Sequence, residues 1–386
     1  MKIAVLVSGG VDSSVVLGML AREGKHELTA YYLKIWLEDE LHFLGQCPWE
    51  EDLKYVRAVC DQFGVNLKVV SLQREYNELV VQYTISELKL GRTPSPDIFC
   101  NQRVKFGAFL KHIDQSYDRI ATGHYASTIE LDGVTYLKQG VDPIKDQTYF
   151  LSHLSQQQLR RCLFPLGAFL KSEVRALANE MNLATQHRPD SQGICFLGKI
   201  KFNEFVKFHL GTMSGPICEW ETGKKLGTHE GYWFHTYGQR KGLRLHGGPW
   251  FVVDKNISTN TVFVTHKEAL VERARSEFFI DGFNLLSGEL GYDNMKVKVR
   301  HGPHKIAATV CPTFEKFANE TYLRVTIDQP DSGLANGQIA VLYKDDICVG
   351  GGMIRLSALE GMSAIGANES RIPSANAITS FTCSTK

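Results

Sequence analysis

The sequence predicts an α/β half built on a parallel sheet, followed by a half made of β-strands alone. Three observations predict it. An apolar, β-branched run at residues 2–7 leads through Ser8-Gly9-Gly10-Val11-Asp12-Ser13-Ser14 into a helical pattern at Val15, Val16, Leu17, Met19 and Leu20. Strand-like and helix-like stretches then alternate to about residue 210, which calls for right-handed crossovers and parallel pairing. From Gly211 onward the pattern changes to short alternating strands between glycine turns, as in β-barrels. A chain of 386 residues has room for two or three domains, each with its own core.

Strand, glycine loop and helix in that order make an anion site, because backbone N–H groups and the positive end of the helix dipole converge there. Gly9 and Gly10 let the backbone approach a phosphate, and Ser8, Ser13 and Ser14 add hydroxyl donors. Asp12 has two readings, a helix cap or a ligand to Mg2+ through water. With no Gly-Lys-Ser/Thr ending this is not a Walker loop, and with no G-x-G-x-x-G it is not a dinucleotide fingerprint. It resembles the SGGxDS pyrophosphate loop of enzymes that cleave ATP between its α and β phosphates. The bland alternative is a turn of small residues.

Residues 28–35 read as a second buried strand, whose carboxyl end places Leu33 and Lys34 near a nucleotide base. Residues 36–49 are polar and aromatic by turns and read as a loop, 50–63 as a helix, 67–70 as a third strand, and 76–90 as one long amphipathic helix ending at Gly91. Pro94 and Pro96 argue against helix, so the stretch before Cys100 is expected as an extended loop. Cys100 then opens a helix through Val104, Phe106, Phe109 and Leu110. A thiol at a helix N-terminus near Arg103 and Lys105 has surroundings that lower its pKa, although such a cysteine is as readily inert packing. Residues 119–126 form a strand running into Gly123 and His124, and a lone His is more often structural than catalytic. Residues 128–138 alternate around Asp132-Gly133 as a hairpin. Residues 154–162, 171–182 and 203–210 read as helices, with a loop at 190–196 that carries Cys195 behind a glycine. Later strands are expected at 232–236, 250–254, 261–265, 296–300, 307–311, 321–327 and 339–343, and the stretch 359–386 lacks periodicity and is expected to be disordered.

Hydrophobic content of 43% and charged content of 22% are ordinary for a soluble globular protein. A net charge of +1 gives no global attraction to nucleic acid, so any RNA surface must be a local patch. Two are visible, Arg92 with Arg103 and Lys105, and Arg240 with Lys241 and Arg244. No apolar run reaches the length of a membrane span and no signal peptide precedes the first strand, so no membrane is expected. The nine cysteines are scattered and form no C-x-x-C, which fits neither a disulfide framework nor a zinc knuckle. A reducing compartment is the expected home.

Together these residues resemble one family, the tRNA-specific 2-thiouridylases. The resemblance rests on Ser8 to Ser13, Gly91-Arg92-Thr93-Pro94 through Cys100-Asn101, Lys105-Phe106 and Ala121-Thr122-Gly123-His124-Tyr125-Ala126. Lys145-Asp146-Gln147, Asp190-Ser191, Gly193-Ile194-Cys195-Phe196, Tyr237-Gly238-Gln239-Arg240-Lys241-Gly242 and Gly337-Gln338 extend it over roughly residues 1–356. It implies an adenine nucleotide α-hydrolase-like parallel-sheet domain at the N-terminus, a small central domain and a C-terminal all-β barrel, with tRNA held between them. On that pattern the expected divisions are 1–145 for the ATP pyrophosphatase domain, 146–210 for the rest of the catalytic half, 211–280 for the central domain, 281–358 for the barrel and 359–386 for the tail.

The resemblance also implies a reaction. ATP, with Mg2+, adenylates the C2 oxygen of the wobble uridine at position 34 of tRNA, and a protein persulfide replaces that oxygen with sulfur. Cys195 would carry the persulfide, with Cys100 as the partner thiol that completes release; the two can also form a disulfide. Ser8, Gly9, Gly10, Val11, Asp12, Ser13, Ser14, Leu33 and Gly123 would form the ATP pocket. Ser95, Pro96 and Asp97 would meet the target base, and His124, Lys145, Asp146 and Gln147 the tRNA, with Arg300, His301 and Gln338 reaching it from the barrel. Ser95 stands where the family usually has Asn, and His301 where it usually has Tyr. A persulfide sulfur donor or relay protein is the implied second partner. The implied compartment is the cytoplasm, with plastid stroma or mitochondrial matrix as alternatives because Cys47-Pro48-Trp49 is similar to plastid-type relatives.

The chemistry is physically coherent. A uracil carbonyl oxygen is a very poor leaving group until it becomes an AMP ester, and a persulfide needs one thiol to hold it and another to cleave its S–S bond. The wobble base must also leave the anticodon stack. Three alternatives stay open. One is another enzyme on the same pyrophosphate loop, a different tRNA thiolase or an amide-forming ligase, the latter with no need of two thiols. Another is thiolation by an iron–sulfur cluster on Asp97, Cys100 and Cys195. The last is a tRNA-binding module without catalysis.

Overall fold

The computed structural model describes residues 1–35, 48–190, 201–288, 291–313 and 322–357. Of the expected loop at 36–49, residues 36–47 lie outside the described residues, as do Cys195 and the expected tail, while 48 and 49 belong instead to the helix Pro48–Phe63.

Lys2–Leu6 forms β1, and its side chains alternate between two cores. Ala4 and Leu6 enter one; Ile3, Val5 and the following Val7 enter the other. That two-sided burial is why the run is apolar throughout. β2 (Glu27–Lys34), β3 (Asn66–Ser71) and β4 (Arg119–Ala121) follow. A hairpin, β5 (Ala126–Leu131) and β6 (Val134–Gln139), turns at Asp132 and Gly133, both at positive φ, before β7 (Cys162–Leu163). All pairings within the sheet ordered β3-β2-β1-β4-β7 are parallel, as expected.

Several local expectations are corrected. Residues 154–162 are not one helix. Ser155 and Gln158 close a capping box on the single turn Gln156–Leu159, and the chain then becomes β7. The long helix at 76–90 is interrupted by a π turn, Asn77–Val81, between Gln73–Tyr76 and Gln82–Lys89. Pro96 does not forbid a helix; it begins one, Pro96–Phe99, because a first-turn N–H has no partner within the helix to lose. Residues 232–236 hold a 3-10 turn, Tyr232–Phe234, rather than a strand. The buried Tyr232 there donates its hydroxyl to the Lys89 carbonyl at 2.6 Å.

The central domain is a small sheet of β8 (Gly215–Glu219), β9 (Lys225–His229), β10 (Phe251–Asn256) and β11 (Thr261–Thr265) around Ile217, Val252, Val262 and Val264. The last domain contains β12 (Arg275–Leu285), β13 (Met295–Lys298), β14 (Ile306–Thr313), β15 (Tyr322–Asp331), β16 (Ile339–Lys344) and β17 (Ile347–Arg355). These strands run antiparallel in the order β12-β15-β14-β13-β16-β17, and a β12–β17 pairing closes the barrel.

The hairpin of the N-terminal half belongs to this barrel's sheet. β6 pairs with the start of β17, Lys138 against Ile347 and Leu137 against Cys348. Below it, Lys298 Nζ lies 2.8 Å from Asp146 Oδ2 with both side chains 1% exposed, and Gln139 and Thr148 donate to the same carboxylate. The catalytic half and barrel thus share a sheet and a buried charge pair. No helix among the described residues is long and apolar enough to cross a membrane.

Candidate active site

The strand order decides where a ligand can sit. From β1 the chain runs outward to β2 and β3, then returns to β4 on the other side of β1. Connections leaving the carboxyl ends of β1 and β4 diverge, which opens a crevice at those ends. Both glycine segments singled out from sequence fall there.

Gly9 takes a φ of +78°, and a Cβ there would lie 2.8 Å from the Asp52 carbonyl oxygen. Gly10 is the N-cap of the Val11–Glu23 helix, and Ser14 Oγ donates to its carbonyl at 2.8 Å. Asp12 is therefore not the cap. Its Oδ1 accepts from the Tyr125 hydroxyl at 2.9 Å and from Lys171 Nζ at 2.6 Å. Ser13 Oγ accepts from the Ser8 N–H at 3.1 Å and ties the loop to itself. Gly123 faces this loop from β4, where a Cβ would stand 2.9 Å from Ser13 N. Leu33 is half-buried at the carboxyl end of β2, beside Val70 of β3.

Sequence reasoning named Lys145, as a tRNA contact, and missed the other cations around the loop. Lys171 Nζ also lies 2.9 Å from Asp190 Oδ1, and Lys145 Nζ lies 2.8 Å from its Oδ2. Arg175 bonds Asp190 as well and donates to the carbonyls of Gln186 and Arg188. Arg188 donates to the Gly9 carbonyl at 2.7 Å, pairs with Asp52 at 2.8 Å and stacks 4.4 Å from the Tyr55 ring. Burial pulls the Asp190 carboxyl upward in pKa, but hydrogen bonds from Lys145, Lys171 and Arg175 outweigh it and hold the group well below the usual carboxylate range. Lys171, Arg175 and Arg188 are scattered through the chain and lie in no quoted motif; the sequence hints were Asp190 and Lys145, each within one. Asp12 is the kind of carboxylate that Mg2+ takes with phosphate and water completing its shell, but its Oδ1 already holds the Lys171 ammonium, so a metal there would compete with that lysine. Among the described residues no group of three or more His, Cys, Asp and Glu side chains could hold a metal by itself.

Cys100 lies one turn inside the helix that Pro96 begins, not at its opening. The backbone widens there into a π turn, Cys100–Lys105, and the thiol is 0% exposed among Ile98, Val104 and Phe106. A π turn leaves carbonyls poorly matched, and such turns concentrate at functional sites. The neighbouring π turn is braced accordingly, with Arg103 Nη1 donating to the Leu79 carbonyl at 3.0 Å while its guanidinium covers the Phe99 ring at 4.1 Å. Arg92 pairs with Glu87 at 3.4 Å. Arg92 and Arg103 are thus engaged within the protein and form no exposed patch, whereas Arg240, Lys241 and Arg244 are exposed.

The two parts of the site are contiguous. His124 follows Gly123, its ring centroid lies 6.3 Å from that of Phe106, and its Nδ1 is 2.8 Å from Thr122 Oγ1. Burial and then the Lys105 charge hold its pKa well below the ordinary value, so the ring is neutral. On the far side the chain before Cys100 is fastened to both other domains. Thr93 N donates to the Asn336 carbonyl at 2.8 Å, and the Thr93 and Thr236 hydroxyls are 2.6 Å apart. Gly337 has φ +88°, and a Cβ there would stand 2.8 Å from Arg92 Cβ.

The remaining expected site residues divide into two groups. Ser95 is half-buried with its N–H on the Tyr83 hydroxyl, Pro96 is buried and Asp97 half-buried. His301 reaches this helix from the barrel by way of Phe150, on which it stacks at 4.5 Å, while Asn101 Nδ2 donates to the Phe150 carbonyl. Burial lowers the His301 pKa, against which a hydrogen bond with the Asp146 backbone acts most, followed by the Asp146 and Asp97 charges. Gln338 braces the 335–338 turn by accepting from Ala335 N at 3.0 Å, and the exposed Arg300 pairs with Asp331. The other group faces protein: Lys145 meets Asp190, Asp146 meets Lys298, and Gln147 Oε1 accepts from Tyr125 N. Cys60, Cys162 and Cys348 are buried thiols with pKa values raised by burial, Cys60 to about 11, as packing cysteines should be.

Three family models match in succession: a tRNA methyl transferase HUP domain over residues 1–199, a tRNA methyl transferase PRC-barrel domain over 203–266 and an aminomethyltransferase β-barrel domain over 275–354. Curated relatives are similar along nearly the whole chain. A protein named tRNA-specific 2-thiouridylase MnmA from Parabacteroides distasonis is 44% identical over 361 residues, which cover 92% of this chain and 99% of that protein. One named MnmA 1 from Bacteroides thetaiotaomicron is 43% identical, and one named MnmA from Porphyromonas gingivalis is also 43% identical, each over 92% of this chain and 99% of its own length.

Proposed function

The chain belongs to the tRNA-specific 2-thiouridylase family, and on that premise we propose how its residues carry out ATP-dependent 2-thiolation of the wobble uridine of tRNA. The observation that carries the reading is the unbroken path from the phosphate loop through Gly123, His124 and Phe106 to the Cys100 turn. It joins a nucleotide site to a thiol, which an amide-forming ligase does not need.

ATP lies with its phosphates over Ser8 to Ser14, with Leu33 and Gly123 against the nucleoside. Mg2+ held at Asp12 would offset phosphate charge. The uridine, turned out of the anticodon, enters between Ser95-Pro96-Asp97 and His301, with Arg300 and Gln338 on the barrel side of the RNA. Its C2 oxygen attacks the α phosphate and pyrophosphate leaves. The terminal sulfur of a Cys195 persulfide then bonds to C2 and AMP departs with the oxygen. The Cys100 thiolate attacks Cys195 Sγ, the S–S bond to the transferred sulfur breaks, 2-thiouridine is released and a Cys100–Cys195 disulfide remains for an external thiol to reduce. His124 and Gln147 support this from within the protein, by packing and by holding Tyr125 beside Asp12. An external persulfide donor reloads Cys195, and a reducing cytoplasm keeps both thiols available.

The test is thionucleoside analysis of tRNA incubated with ATP, a persulfide donor and wild-type protein, Cys100→Ser or Cys195→Ser. The expected result is 2-thiouridine with wild type alone, and AMP formation partly retained in both variants. Full thiolation by either variant refutes the assignment. Stoichiometric iron in anaerobically purified active protein would replace the persulfide route with a cluster.

A further inference from the structure

We propose that Lys171 is a substrate-contacting residue, the ammonium that leaves its resting carboxylates to bind the phosphates of ATP and neutralise the departing pyrophosphate. This rests on the ATP-dependent reading above and assigns a residue that no motif included.

The argument is one of releasability. Four cations border the loop, and the two arginines are fixed. Arg188 is held by the Gly9 carbonyl, Asp52 and the Tyr55 ring; Arg175 is held by two carbonyls and Asp190. Lys145 pairs with Asp190 Oδ2, away from the Oδ1 that Lys171 touches, and among the described residues it has no ion pair with Asp12 of the loop. Lys171 is different. It is 15% exposed and its Nζ bridges Asp12 Oδ1 at 2.6 Å and Asp190 Oδ1 at 2.9 Å, so it spans from the loop to the outer cluster. Both carboxylates keep other donors when it moves. Asp190 retains Lys145 and Arg175, and Asp12 retains the Tyr125 hydroxyl. A lysine stem is flexible and its head is a compact point charge suited to phosphate oxygens. As the uridine oxygen bonds to the α phosphorus, the bond from that phosphorus to the bridging oxygen breaks and its electron pair stays on pyrophosphate. A cation beside the loop meets that charge where it develops.

The test compares wild type, Lys171→Met and Lys171→Arg by calorimetric titration with Mg-ATP, inorganic pyrophosphate and AMP, and by the rate of AMP formation on tRNA at saturating ATP. Lys171→Met should weaken ATP and pyrophosphate by about tenfold or more, leave AMP within about twofold, and slow AMP formation by on the order of 10²-fold. Lys171→Arg should restore much of the binding. A merely structural ion pair would instead weaken AMP and pyrophosphate alike, and that outcome, or unchanged pyrophosphate binding, overturns the proposal. Should Lys171→Met not fold, Lys171→Gln, which keeps a donor without the charge, carries the same comparison. A wild-type chain that binds no ATP would instead remove the nucleotide reading itself.

Discussion

Replacing Lys298 with Met is the sharpest perturbation of the architecture that brings the barrel to the catalytic half. The side chain keeps its length and loses its charge. Lys298 Nζ is 2.8 Å from Asp146 Oδ2 with both groups 1% exposed, so at an effective dielectric of about 20 the direct attraction is about 6 kcal/mol. Much of that offsets the desolvation of two ions, and an apolar pair of the same shape would serve nearly as well. A single substitution is another matter. It leaves the Asp146 carboxylate buried and facing only neutral donors, the Gln139 amide and the Thr148 hydroxyl and backbone N–H, which costs about 3–5 kcal/mol. Urea unfolding followed by both fluorescence and circular dichroism should show that loss for Lys298→Met, and the double variant Asp146→Asn/Lys298→Met should recover most of it. Both probes are needed because a chain of several domains need not unfold in one step. The effect should persist in 1 M salt, since counter-ions do not reach a dry pair. A loss below about 1 kcal/mol, or a double variant no better than the singles, would refute the claim that this pair locks the two halves together.

Two further outcomes follow from the geometry. Gly123→Ala places a methyl group 2.9 Å from Ser13 N and 3.1 Å from the Asp12 carbonyl carbon, against backbone that must shift, so ATP affinity should fall by about tenfold or more in a titration; unchanged affinity would place the nucleotide elsewhere. His124, His153 and His235 are buried and neutral, the last two with pKa values of about 4, lowered by burial first and then by Lys105, Arg103 and His229 respectively. Unfolded, each binds a proton from about pH 6.5 downward while the folded chain does not, so stability is complete above that pH and falls below it, by at most about 4 kcal/mol per pH unit with all three engaged. Urea midpoints at pH 7.5 and 5 should differ, and less so in His153→Gln; equal midpoints in wild type would show that these rings are not buried neutral.

The loop and its crevice were legible because strand, glycines and helix are contiguous, and contiguity is what a sequence displays. Gly123 was legible for the same reason, as the turn after another strand. The corrections share the opposite property. Cys162–Leu163 is too short to show a period, yet it forms an edge of the parallel sheet through its pairing with β4. Pro96 looked like a breaker because its place in the first turn depends on where the helix begins, and no local pattern fixed that. Cys100 looked like a thiol at the opening of a helix, whereas the extra turn before it carries it into the core. Lys171, Arg175 and Arg188 are ordinary surface residues by sequence and become a cluster only when the segment 171–190 folds back over Gly9 and Asp12.

The antiparallel hairpin at residues 126–139 has a bearing on how the molecule is made. A ribosome releases that hairpin early, but Ile347 and Cys348, which its outer strand must meet, emerge more than 200 residues later, as the numbering of the pairs Lys138–Ile347 and Leu137–Cys348 shows. Until then Leu137 and Lys138 present an open edge to any passing strand, the kind of edge through which nascent chains associate wrongly. The first half of this polypeptide is therefore completed by a strand made long after it, and a ribosome stalled before β17 would release a catalytic half still missing a neighbour.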